Sequence, residues 1–240
     1  MLASLALSAT MSRAAEIRFE SGSQQTALIE LYTSEGCSSC PPAEAWLSRF
    51  KGEPGLWKTF VPLAFHVDYW DRLGWPDRFS SKRWTERQRG YVSRWQGESV
   101  YTPAVVFNGN EVRHWSGVDL PRPNEKQAGV LSAGTTDGKS FAIEFRPAGG
   151  MTAVWEAHAA LLGSGISTKI AAGENRGRDL RHDFVVLDLR DAEMKSEGGT
   201  MRARLTMNAA GEPGSRKALA VWVSARDQLA PLQATGGWLP

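Results

Sequence analysis

Cys37 and Cys40 are the two cysteines of the chain, and the residues around them constrain its folding more than any other feature of the sequence. Before them runs Ala27-Leu28-Ile29-Glu30-Leu31-Tyr32, apolar on both alternating faces, which predicts a strand covered on both sides. Thr33-Ser34-Glu35-Gly36 predicts a turn. After the pair stand Pro41 and Pro42, residues suited to the first turn of a helix, where a missing N–H costs least. Ala43, Trp46, Leu47 and Phe50 then recur at helical spacing, and Gly52 is placed to close that helix. The cysteines therefore occupy a strand-to-helix turn.

That placement carries chemistry. Residues three apart face one side of a helix, so the two sulfurs lie near each other. The positive end of the helix dipole stabilises a thiolate on Cys37, with the amides of Ser39 and Cys40 as donors. Cys37 is expected to be the exposed nucleophile and Cys40 the more buried resolving thiol that attacks the mixed disulfide. Two other uses stay open. One is an inert structural disulfide, although this spacing closes almost no loop. The other is capture of a soft metal such as Cu(I), with a histidine completing the ligands. Two cysteines cannot build a disulfide scaffold or a four-thiolate zinc site, and no His-x₃₋₅-His supplies a zinc-finger pattern. No cofactor and no dedicated metal site are expected.

Further along, Val61–Val67 predicts a second strand, and Ser80 or Ser81 can cap a helix running to about Trp95. Ala104–Phe107, the turn Asn108-Gly109-Asn110 and Glu111–Trp115 read as a hairpin. A short helix is expected around Asn124–Leu131. Beyond Lys139 the pattern changes to short runs between glycine-rich turns: Phe141–Phe145, Ala153–Leu162, Ser167–Ala171, Phe184–Leu189, Met201–Met207 and Ala218–Ala225. This order predicts an α/β domain over residues 24–131 and a β-rich, sandwich-like domain over residues 139–240. At the start, Leu2–Ala9 is apolar and small residues follow to Ala15, which predicts a signal peptide over residues 1–15 and a periplasmic or secreted protein. No later stretch reaches the ~18–20 apolar residues of a membrane span. Lys plus Arg number 28 against 26 for Asp plus Glu, with no basic half, so no nucleic-acid partner is expected.

The motifs Glu30–Pro42, Phe65-His66-Val67-Asp68-Tyr69-Trp70-Asp71 and Tyr101-Thr102-Pro103 resemble a family of secreted bacterial proteins of unknown function, domain of unknown function 1223, thioredoxin-like in fold. The likeness runs from about Ala27 to Gly117 and resumes at Gly173–Arg178. It implies a thioredoxin-like α/β domain and an exported thiol–disulfide oxidoreductase. Protein or small-thiol substrates and an unidentified redox partner would complete the cycle. It also implies that Pro103 is cis, exposing the backbone at Thr102 to a substrate strand. Peptide or copper binding in the same cleft without turnover is the alternative.

Other residues keep two readings. Glu30, a carboxylate in an apolar strand, is either a proton relay for Cys40 or a salt-bridged or edge-exposed group. His66 and Asp68 end the second strand on the sheet edge that carries Cys37, together with Trp70. Asp68 is placed as a substrate contact, and Trp70 as a groove wall or a core residue. Asn175, Arg176 and Arg178 either meet a partner or fix their own turn.

Overall fold

The computed structural model describes residues 16–117, 125–149, 153–207 and 212–240. The segment read as a signal peptide lies outside them. Among the described residues the order is β1 (Ile17–Glu20), β2 (Ala27–Thr33), α1 (Pro41–Ser48), β3 (Phe60–His66), α2 (Lys82–Arg94), β4 (Ala104–Phe107) and β5 (Asn110–Glu111). Strands alone follow: β6 (Gly129–Thr135), β7 (Ser140–Pro147), β8 (Trp155–Ser164), β9 (Ile166–Lys169), β10 (Asp179–His182), β11 (Val185–Glu193), β12 (Lys195–Glu197), β13 (Thr200–Thr206), β14 (Arg216–Ala225) and β15 (Gln233–Trp238).

The local reading of the first half holds where side chains dictate it. β2 is buried at every position, as its two apolar faces require. Pro41 opens α1, and Ser81 caps α2 by accepting a hydrogen bond from the Arg83 amide. Asn108 and Gly109 both have positive φ, the geometry of a tight hairpin turn. The hairpin's second strand stops at Glu111, and a short 3₁₀ turn covers Trp115–Gly117. The helix expected around Asn124–Leu131 is replaced, in its described part, by a loop and β6.

The expected division into a thioredoxin-like α/β domain and a following β-rich domain is wrong. The molecule is dominated by strands, and one eight-stranded sheet, ordered β15-β14-β8-β11-β3-β2-β4-β5, mixes both halves of the chain. β3 pairs in parallel with β2 on one side and with β11 on the other, through Val185 opposite Ala64. A second sheet, β1-β6-β7-β13-β12, is antiparallel, and β9 and β10 form a two-stranded ribbon. The physical reason is visible in β8 and β14. Both are almost wholly buried, so each needs cover on two faces.

On β14, Leu219, Val221 and Val223 join Leu131, Phe141, Ile143 and Phe145 of the second sheet in one core. Ala218, Ala220 and Trp222 point the other way, into the core shared with β2, β3 and α2. The edge strand β15 fits between these layers because it is glycine-rich. A Cβ on Gly236 would fall 2.5 Å from the Leu219 carbonyl oxygen, and one on Gly237 would fall 2.1 Å from the Phe19 ring. No helix among the described residues is long and apolar enough to cross a membrane.

Candidate functional site

Cys37 and Cys40 form a disulfide between the end of β2 and the start of α1. Cys40 is the N-cap residue of α1, and its carbonyl accepts from the amides of Ala43 and Glu44. Ser38 and Ser39 are exposed, but both cysteines are 0% exposed, so the expected exposed nucleophile is corrected. Three neighbours pack against the cysteine loop. Trp70 backs onto Gly36, where an added Cβ would lie 3.1 Å from the Trp70 Cβ. The Asn175 side-chain amide donates to the carbonyls of Glu35 and Cys37, both at 2.9 Å. The Ser38 amide donates to the Glu174 carboxylate. Within the loop, Ser39 Oγ lies 3.3 Å from Cys37 Sγ, whereas the Cys40 amide is taken by the Cys37 carbonyl and is not free for a thiolate.

Behind the pair lies a buried polar cluster. Glu44, on the first turn of α1, accepts from the Thr33 hydroxyl at 2.6 Å and meets His182 Nδ1 at 2.5 Å. His182 Nε2 stands 3.2 Å from Glu35 Oε1. That approach is close enough for charge attraction but poorly aligned for a hydrogen bond, so both atoms keep unsatisfied capacity. Glu35 also accepts from the Trp75 indole, and its amide donates to Asp77. His66 Nδ1 pairs with Asp77 at 2.7 Å, and its Nε2 has no hydrogen-bond partner among the described residues.

The charges in this cluster support one another. Burial alone would pull His182 down, but Glu35 and Glu44 outweigh it and push its pKa up to about 10. Burial likewise opposes charge on His66, yet Asp77 holds its pKa above the ordinary histidine value. Glu35 and Asp77 would rise by burial. Instead His182 and Trp75 lower the first, and His66 lowers the second. Beside α1 a cavity of ≈ 540 Å³ opens, with Glu44, Arg178 and Arg181 in its wall.

Residues 28–224 match the family described as protein of unknown function (DUF1223). The chain belongs to this family. Among solved structures, the DUF1223 chain is similar to a protein of Agrobacterium tumefaciens determined by X-ray crystallography, at 25% identity and a TM-score of 0.61, over 90% of this chain and 94% of that one. It also shares its fold with HBP35 of Porphyromonas gingivalis, at 12% identity and a TM-score of 0.58, over 91% of this chain and 76% of that one. No curated protein matches its sequence.

In this DUF1223 protein the residues singled out from sequence separate into two groups. Thr102-Pro103 is a cis peptide, and the Trp70 indole donates to Thr102 Oγ1 at 2.7 Å. Trp70 thus joins the cysteine loop to Thr102 and Pro103. Glu30 points into the α2 side of the sheet, where Arg87 grips both carboxylate oxygens. It takes the salt-bridged alternative. Asp68 is engaged by the Thr85 hydroxyl of α2 at 2.5 Å. Asn175 meets the cysteine loop itself. Glu44, Asp77 and His182 escaped the sequence reading because no sequence spacing links them: they stand in α1, in the loop before α2 and in β10. The one available signal was His66, a histidine in an otherwise apolar strand.

Proposed function

We propose that this protein is a thiol–disulfide oxidoreductase whose Cys37–Cys40 pair exchanges with protein or small-thiol substrates outside the cytoplasm. The observation that carries the reading is the position of the bond: at the start of α1, with the Ser39 hydroxyl beside Cys37 Sγ and Trp70 linking the loop to Thr102-Pro103. A disulfide spanning three residues constrains little of the unfolded chain, so stabilisation is a poor reason to keep it. Export is supported by the apolar run Leu2–Ala9 and the small residues ending at Ala15.

In the reducing direction the Cys37 thiolate attacks a substrate disulfide and expels one substrate thiolate. Cys40 then attacks Cys37 Sγ, re-forming the internal bond and releasing the second thiolate. The reverse sequence oxidises a substrate dithiol. The Ser39 hydroxyl can donate to Cys37 sulfur while it is a thiolate. Cys40→Ser should therefore accumulate mixed disulfides on Cys37, and Cys37→Ser should accumulate few. Mass spectrometry of thiol adducts reads this, and equal trapping by both variants would overturn the roles. A reduction potential below about −300 mV, with no exchange, would mark the bond as inert instead.

Burial of both sulfurs makes opening part of the reaction. Asn175 pins the carbonyls of Glu35 and Cys37, on either side of Gly36, to the loop that follows β9. Asn175→Ala should speed reduction of the bond by dithiothreitol about 10-fold, the equivalent of one net hydrogen bond. A stopped-flow rate equal to that of the unsubstituted protein would show that this contact does not gate access.

A further inference from the structure

The buried cluster behind the disulfide contains a donor set that the thiol chemistry does not use. Glu44, His66 and His182 come from α1, β3 and β10, all three are buried, and one ligand atom of each lies within 4.8 Å of the others. Hydrogen bonding inside the cluster leaves three buried atoms without a partner: Glu35 Oε1 and His182 Nε2, which face each other, and His66 Nε2. His66 Nε2 is sealed from solvent without even a facing carboxylate, while Asp77 occupies the opposite ring nitrogen. A carboxylate fixing one imidazole nitrogen so that the other is presented outward is the arrangement that orients a histidine ligand. The Thr33 hydroxyl holds Glu44 in the same way.

We propose that Glu44, His66 and His182 form a site for one first-row divalent transition-metal ion, with Zn²⁺ the simplest occupant. Two imidazoles and a carboxylate suit such ions, whereas Ca²⁺ and Mg²⁺ prefer oxygen alone. Zinc bonds of about 2.0–2.2 Å place tetrahedral ligand atoms roughly 3.5 Å apart, so atoms that lie up to 4.8 Å apart need to close by about 1.3 Å at most. The cavity wall at Glu44 provides the approach. The sulfurs take no part, because they are joined to each other.

The test uses the full chain, oxidised and stripped with a chelator, titrated with Zn²⁺ alone in a calorimeter. One ion per chain should bind. His66→Gln should weaken binding at least 100-fold, and Asp77→Asn, a change to a positioning residue, about 10–100-fold. A Cys37→Ala/Cys40→Ala double variant should bind as the unsubstituted protein does, which separates this site from the exchange reaction. Co²⁺ loaded into the unsubstituted protein should give shifted imidazole N–H resonances from two histidines, a readout that needs no variant to fold. Failure of the oxidised protein to bind stoichiometrically, undiminished binding by a folded His66→Gln, or loss of binding in the double cysteine variant would each overturn the proposal.

Discussion

Arg87→Met should lower stability by about 3–5 kcal/mol, the cost of leaving a buried charge without its partner. Glu30 is 1% exposed. Its carboxylate accepts from Arg87 Nε at 2.7 Å, Arg87 Nη2 at 3.1 Å, the Tyr91 hydroxyl at 2.5 Å and the Tyr32 hydroxyl at 3.0 Å. Burial, reinforced by the Glu30 charge, keeps both phenols protonated well above their ordinary range, so they act as donors throughout the accessible pH range. Methionine retains much of the packing that the Arg87 side chain makes against Phe65, Tyr91 and Trp222 but removes the charge. Thermal unfolding should fall by roughly 6–20 °C. Adding Glu30→Leu should restore much of the loss, because a buried pair removed together leaves no orphan charge. A single variant that melts with the unsubstituted protein would overturn the Arg87–Glu30 pair as a source of stability.

Gln233→Leu should cost about 3 kcal/mol or more, for a different reason. This fully buried amide is a junction between layers. Its oxygen accepts from the amides of Thr26 and Ala234, and its nitrogen donates to the carbonyls of Gly22, Gln24 and Gly129. Leucine matches it roughly in size and can answer none of these groups. Each buried backbone group left unpaired costs about 1–3 kcal/mol, offset where water or a shift of the chain re-satisfies it. Urea denaturation gives the magnitude. Amide hydrogen exchange gives the place: protection should drop first between Ser21 and Ala27 and at the start of β6. Uniform loss of protection, or none, would remove Gln233 as the junction.

These two residues also mark the limit of what the sequence discloses. β2, β3, α1 and α2 are legible because apolar periodicity, the paired prolines and the Ser81 cap are local signals. The pairing of β3 with β11 is not local, and nothing near Ala64 names Val185 as its neighbour. The buried run of β8 was the available clue, since an antiparallel strand with no polar face needs layers on both sides. β15 escaped notice because Gln-Ala-Thr-Gly-Gly-Trp lacks apolar alternation; its glycines answer to the Leu219 carbonyl and the Phe19 ring rather than to strand propensity. The site divides in the same way. The cysteines, Trp70, Thr102 and Pro103 belong to recognisable motifs, while Glu44 and His182 meet only after the chain has turned back through β10.

The order of strands in the large sheet has a consequence for how the molecule is made. β3 lies between β2 and β11, and the edge strand β15 ends at Trp238, so the sheet can close only after the chain through Trp238 has been made. Pairings this distant along the chain form slowly. Cys37 and Cys40, by contrast, are neighbours from the moment they are made. Asn175 and Glu174, which later cover their loop, follow much further along the chain. Oxidation therefore has an interval in which both thiols are open to any oxidant, before assembly of the sheet encloses them. In the finished protein the disulfide is reached again only by opening the contacts that Asn175 and Glu174 make to its loop.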